Sequence, residues 1–474
     1  MNVSLLKFLA VLKQRNGAFM TQKRKNIRSL LLFCLIFTLL IPTTVLAGGL
    51  SANKTKCKTL IYANGEYVNW EGVSNVSQFL TADGNFGFAV EKKKSITVYF
   101  TKNGKIKKHL TIRKKHPLFG GITSDDNGDL YVVTAKNNKG NKKSVNTVFV
   151  SKYSSKGSHI KTVGNTGDSS LAYYYGSDFR TKKPFSGGGC SLRVNNGCLA
   201  VNYGREMYNG HQSNSVWLLD CETLKTKKPN GYSNYNSHSF AQRVIPYEEG
   251  FLFMSEGDAY NRAFSMSAID LDSEAMYEAD LFHFWMQKGN STNMYVVNDN
   301  FAHMGDVAAL PDGKVSFVAT SVKALNKKAK KQNEQLFIQI FDPAQDLSKA
   351  SSYTTSGTRS GYSGIDGTKK VKDYGVKWLT SYSGSYSISH PQAVANEKGT
   401  TIILYELRKN YRHMGVYAIR VSASGKVISK PKCLSKTALL NPCETPIYTD
   451  DGIWWCGNNN TDAQNHLYIY HYKL

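Results

Sequence analysis

Residues 396–425 read NEKGTTIILYELRKNYRHMGVYAIRVSASG. A turn closing on Lys398-Gly399 opens the stretch, and the alternating segment TTIILYEL follows it. After a polar loop, a second alternating segment, GVYAIRV, runs into another turn at Ser424-Gly425. Period-two alternation over so few residues indicates strands rather than helix, and glycine allows the positive φ that a short hairpin demands. The stretch therefore reads as antiparallel strands joined by tight turns.

The same pattern occurs seven times. Its turn glycines are Asp83-Gly84, Asn127-Gly128, Asn196-Gly197, Glu249-Gly250, Asp312-Gly313, Lys398-Gly399 and Asp451-Gly452. Units such as CLAVNY with NSVWLLD, GFLFMS with FSMSAIDL and KVSFVAT with QLFIQIF repeat the two-segment core. Repeats of four short antiparallel strands resemble the β-propeller class, whose blades hide their edges by radial packing. The expected fold is all-β: a seven-bladed β-propeller with four-stranded antiparallel blades, forming a single domain over residues 48–474. The last unit, IWWC with HLYIYHY, holds only three strands. Residues 59–63, followed by Asn64-Gly65, are expected to supply the fourth, so that an N-terminal strand closes the ring. Alternation alone would also permit a pair of β-sandwiches. No regular tryptophan-aspartate or kelch signature points to a particular propeller family.

The 474 residues are 41% hydrophobic and 20% charged, which excludes disorder as a description of the whole. The run SLLLFCLIFTLLIPTTVLA at 29–47 follows Lys23-Arg24-Lys25 and Arg28 and ends in Val45-Leu46-Ala47. Residues 1–47 therefore read as a signal peptide, with Met20 as an alternative start and an uncleaved anchor as the other reading. The expected location is extracellular or at the cell surface, with no stable transmembrane span after cleavage. The whole chain carries +25; residues 48–474 hold 53 lysines and arginines against 35 acids, or +18. Outside the cell that charge argues against nucleic acid and for an anionic polysaccharide or cell-envelope polymer as partner. A monomer is expected. Cys34 lies in the apolar run, which leaves seven cysteines, an odd number, in the exported part, with no Cys-x-x-Cys pair.

In a propeller, the starts of the inner strands and the loops between second and third strands share one face, and functional side chains are expected there. His238, His303 and His390 each precede an inner strand of successive units, and His116 is a fourth candidate. Such a cluster suits a divalent metal, the one cofactor the pattern suggests, or proton transfer. The second-to-third loops offer Arg205, Tyr208 and His211 in YGREMYNGHQSN, Tyr260 and Arg262 in SEGDAYNRA, and Arg408, Arg412 and His413 in ELRKNYRHM. Arginine forks bind planar anions bidentately and tyrosine adds a flat apolar face, so these loops are candidate ligand contacts for an anionic sugar. Two long insertions, 171–189 and 351–389, are expected over the same face.

The layout of His238, His303 and His390 is similar to that of metal-dependent polysaccharide lyase propellers. That resemblance implies a metal neutralising a uronate carboxylate while a base removes the adjacent proton, assisted by an arginine such as Arg243. The leading expectation is binding of an anionic glycan or envelope polymer. A metal-assisted polysaccharide lyase or hydrolase is the alternative, and a structural or protein-binding propeller is the third reading. The sequence has no Gly-x-Ser-x-Gly elbow, His-Glu-x-x-His helix or phosphate-binding glycine loop.

Overall fold

The second strand of each repeat has the densest apolar sequence because neighbouring blades cover both of its faces. Leu130–Ala135 and Gly452–Gly457 are buried at every position. Strands covered on two faces lose the apolar-polar alternation. The outermost strands show the reverse: Lys105–Arg113 and Val427–Ser435 are mostly exposed or half-buried and correspondingly rich in lysine.

A computed structural model describes residues 50–54, 62–63, 70–103, 105–227, 238–257, 263–272, 276–284, 298, 301–323, 333–343, 375–462 and 466–474. Within them the chain forms a seven-bladed propeller of antiparallel sheets. The inner strands are Val76–Leu80, Leu118–Ser124, Cys190–Asn195, Ser239–Tyr247, His303–Ala309, Tyr386–Ala395 and Ile447–Thr449, which begin blades 1 to 7 in chain order. Blade 3 gains a further strand, Thr181–Pro184, against Cys198–Met207. Apolar clusters fill the spaces between blades. Phe79, Ile96, Val98, Ile122 and Leu130 join blades 1 and 2, and Phe86 stacks on Trp454 at 5.6 Å between blades 1 and 7. The expected signal segment, residues 1–47, lies outside the described residues.

An N-terminal strand does close the ring, but residues 59–63 are not that strand. Leu50–Lys54 pairs with Tyr468–Tyr472 from Leu50↔Tyr472 to Lys54↔Tyr468, and Lys54 adds an ion pair to Asp462 at 3.1 Å. Tyr62–Ala63 instead pairs with Val73–Ser74. An outermost strand needs little apolar surface: Leu50–Lys54 reads LSANK and is exposed after its first residue. The more apolar 59–63 drew the sequence reading toward itself for that reason.

Each expected glycine turn joins an inner strand to its second strand. In blades 1, 2, 5 and 6 the glycine N–H donates to a carbonyl three residues back, as in Gly84 to Thr81 and Gly399 to Asn396, with the glycine at φ of 71 to 78°. Blade 4 differs. Its positive φ falls on Glu248 (46°), and Gly250 is required for space, since a Cβ there would stand 1.8 Å from the Ile269 carbonyl oxygen.

At the opposite, entry face, the inner strands of blades 2, 4, 5 and 6 slip register once, at Phe119/Gly121, Ser239/Gln242, Met304/Asp306 and Ser389/Gln392. Bulges of this kind re-aim side chains and interrupt pairing.

Candidate functional site

The segment Trp70–Gly72 enters blade 1 across the axial mouth. Glu71 N–H donates to Phe240 O of blade 4 at 2.9 Å, and Gly188 N–H donates to Glu71 O at 2.9 Å. With the bulged entries of blades 4, 5 and 6, this segment walls a cavity of about 400 Å³. Its polar lining includes Glu71, Arg243, Glu256, His303, Glu334 and His390, beside the indole of Trp70. That volume is in the range of small-molecule sites, which place a few convergent polar groups on an otherwise apolar wall.

The charges in the mouth are distributed by their partners. Arg243 Nη1 donates to Glu71 Oε2 at 2.9 Å, while its Nε stands 3.8 Å from Asp306 Oδ1. Glu256 accepts the Met304 N–H at 2.9 Å, occupying a donor released by the blade 5 bulge. Burial pushes the Glu334 carboxyl above its ordinary range, and the nearby His303 only partly opposes that shift. The mouth thus combines a carboxylate paired with arginine and a carboxyl biased toward its protonated form.

Below the mouth, hydrogen bonds link side chains of several blades. Asp306 accepts Thr445 Oγ1–H at 3.1 Å and the Val307 N–H at 3.0 Å. Glu444 accepts the Gln78 N–H at 3.1 Å. Gln392 Nε2 donates to the carbonyls of Asn441 and Glu444 at 2.5 and 2.8 Å. About 20 Å³ of space remains among Ser77, Arg193, Gln242 and their neighbours, on the order of one water. Burial pushes Glu444 up to about 8, against the Gln78 N–H and Arg193. Burial also raises Asp306, although Arg243 opposes it.

The structure brings two of the three candidate metal histidines to the mouth. His303 and His390 line the same mouth, but His390 Nδ1 faces Glu406 Oε1 at 3.5 Å. His238 pairs with His211, ring centroids 5.3 Å apart, at the junction of blades 3 and 4. Among the described residues no three His, Cys, Asp or Glu side chains form a metal-binding group. His116 stacks on Phe149 at 3.6 Å and bonds Thr134 within blade 2, away from the axis.

The candidate ligand residues of the loops fall in different surroundings. Arg205 is fully buried. Its guanidinium donates to Phe179 O, Thr181 Oγ1 and Ser169 Oγ, with Asp168 at 4.0 Å, and so ties residues 168–181 to blade 3. Its side chain thus clamps that segment. Arg408 Nη2 lies 3.1 Å from Glu406 Oε2, and His413 Nδ1 lies 3.6 Å from the same oxygen with only 6% of its side chain exposed. Glu406, itself 2% exposed, also accepts the Leu440 N–H at 3.0 Å. Burial would raise its pKa, but the His390 and His413 contacts outweigh burial and hold it below the usual carboxylate range. Arg412 and Tyr411 are exposed at a two-residue turn in which Asn410 and Tyr411 have φ of 49 and 64°, and His211 is exposed at the tip of the blade 3 hairpin. Tyr260 and Arg262 lie outside the described residues.

No protein-family model matches the chain, and no curated protein matches it. Several solved propellers resemble its course. The β-propeller domain of the Trilobed protease from Pyrococcus furiosus is 10% identical, with 83% of this chain and 94% of that chain covered, at a TM-score of 0.42. An endo-arabinase from Bacteroides thetaiotaomicron is 11% identical, with 60% and 93% covered, at a TM-score of 0.31. The sialidase from Trypanosoma rangeli is 11% identical, with 76% and 58% covered, at 0.37.

Sequence reasoning placed His303 and His390 at the mouth but missed Trp70, Glu71, Glu256 and Glu334. Glu71 precedes the first repeat. Glu256 lies near the end of a second strand, at the start of the SEGDAYNRA loop that also carries Tyr260 and Arg262. The only available signal was position: both acids sit where strands enter or leave the functional face.

Proposed function

We propose that the protein is an exported or surface-held propeller that binds an acidic glycan or cell-envelope polymer, with one saccharide unit seated in the axial mouth. The carrying observation is the single cavity that gathers Trp70, Arg243, His303 and His390. Arginine and imidazole donate to sugar oxygens, and the largely buried Trp70 indole gives the cavity an apolar wall. The export reading of residues 1–47 and the charge of the remaining chain support an anionic partner. The test is calorimetric titration with uronate, sulfated and neutral oligosaccharides of equal length. Saturable binding to acidic members that His303→Ala weakens about tenfold, with unchanged unfolding temperature, supports the reading. Equal response to all three sets overturns it.

Two carboxyls that line the same mouth support a second, hydrolytic reading. Glu71 beside Arg243 suits a general base or nucleophile, and Glu334, pushed up by burial, suits a proton donor to a leaving glycosidic oxygen. Release of reducing ends by the purified protein, lost in Glu334→Gln while binding persists, would separate enzyme from binder. No reducing-end release from any ligand that binds removes this reading.

A further inference from the structure

A second cavity lies beside the mouth. Trp70–Gly72 wall the mouth, and the next three residues, Val73, Ser74 and Asn75, wall a groove of about 480 Å³ between blades 1 and 2. Since one residue advances an extended chain by at most about 3.6 Å, the two cavities stand side by side across a single segment. The groove floor is apolar, with Phe119 and Phe185 both buried. Phe185 holds φ at 62°, an unfavourable conformation for a bulky residue. Its ring packs so closely on Gly120 that a Cβ there would lie 2.7 Å from it.

The rim of the groove is cationic. Lys114 is committed to Glu91 at 2.5 Å, and Lys183 to Glu206 at 2.8 Å. Lys92 and Lys93 are exposed and have no ion-pair partner among the described residues. The surrounding charge is strongly one-sided. Residues 76–165, which make up blades 1 and 2, hold 17 lysines and arginines against five acids, or +12 of the +18 on residues 48–474. The mouth, by contrast, includes three carboxyl groups.

We propose that this groove is a second subsite of the same acidic glycan, in which Lys92 and Lys93 take a carboxylate, sulfate or phosphate substituent while the sugar's apolar face rests on the accessible Val73, Pro117 and Leu118 above the buried phenylalanine floor. The inference rests on the mouth reading for the polymer's identity, but its residues are separate. A ligand spanning both cavities gains the second contact at high effective concentration, whereas a ligand too short to span them does not.

The test compares a galacturonate disaccharide with a decasaccharide at about 0.15 M salt, where surface charges more than about 8 Å apart are largely screened. The proteins compared are the wild type, Lys92→Gln/Lys93→Gln, His303→Ala, and the charge-matched control Lys107→Gln/Lys108→Gln on the exposed outer strand of blade 1. The expected result is an affinity for the decasaccharide about tenfold lower in the groove variant and nearly unchanged in the outer-strand control. Equal losses in the two lysine variants overturn the subsite and leave only general attraction. Loss with His303→Ala alone refutes the groove and keeps the mouth; loss with the groove variant alone refutes the mouth and keeps the groove. Polyglutamate binding with the same Lys92/Lys93 dependence, in a protein that binds no decasaccharide, overturns the glycan as occupant.

Discussion

Glu444 and Arg205 show how differently two buried ionisable residues can act in one propeller. Glu444 is pushed up by burial to about 8, so across neutral pH the folded protein holds a proton that the unfolded chain, with the ordinary 4.5, releases. Its contribution to stability is therefore fully present below 4.5 and lost as pH rises through about 8. Asp306, also raised by burial, has the same sign. Melting temperature is expected to fall between about pH 5 and 8, and Glu444→Gln, which keeps an acceptor for the Gln78 N–H, is expected to flatten that fall. Parallel melting profiles for wild type and variant would refute the assignment. Arg205 makes the opposite demand. Its hydrogen bonds to Phe179, Thr181 and Ser169 lose their donor in Arg205→Met, and Asp168 loses its cation. A destabilisation of about 3 kcal/mol is expected by chemical denaturation, with glycan affinity of the folded fraction unchanged. The sequence showed an arginine in a loop on the correct face. It did not show that residues 168–181 fold over that arginine, because this contact spans blade 3 and a segment with no repeat pattern.

Strands differ in legibility according to where they lie along a blade. Inner and second strands must bury apolar side chains, so their alternation and glycine turns are written into the sequence, and all seven turns occur where they are expected. Outer strands are covered on one side and solvated on the other, so LSANK carries almost no pattern despite closing the ring. Bulges are similarly silent. His390 lies at the Ser389/Gln392 slip with φ of 51° immediately before Pro391, and that geometry sends its imidazole to Glu406. A prediction follows from the closing strand. A chain lacking residues 50–54 leaves Tyr468–Tyr472 as an unpaired edge rich in tyrosine, and such edges template association. Loss of cooperative unfolding or concentration-dependent aggregation is expected, measured by light scattering through a thermal ramp. A monomeric truncation that unfolds as the full chain does would show that the Leu50–Lys54 pairing contributes little.

At the scale of the whole molecule, charge and recognition are separated in space. The mouth holds arginine and histidine among three carboxyls, whereas most of the net charge lies on blades 1 and 2. Composition revealed the total charge but not this division, because positions far apart in sequence converge only after the ring closes. The two contributions should respond differently to salt. Exposed lysines act over the screening length, which shortens from about 10 Å at 0.1 M to about 3 Å at 1 M, while contacts inside a walled cavity are screened much less. Binding of an acidic oligosaccharide is therefore expected to weaken steeply at first and then level off, the residual affinity belonging to the mouth. His303→Ala should lower that high-salt plateau and leave the initial slope nearly intact. Lys92→Gln/Lys93→Gln should make the initial slope shallower and spare the plateau. Titrations of the three proteins across the salt series provide the measurement; affinity that declines to nothing along one line in every protein would mean that attraction by the lysine-rich blades accounts for all the binding and that the mouth holds no sugar.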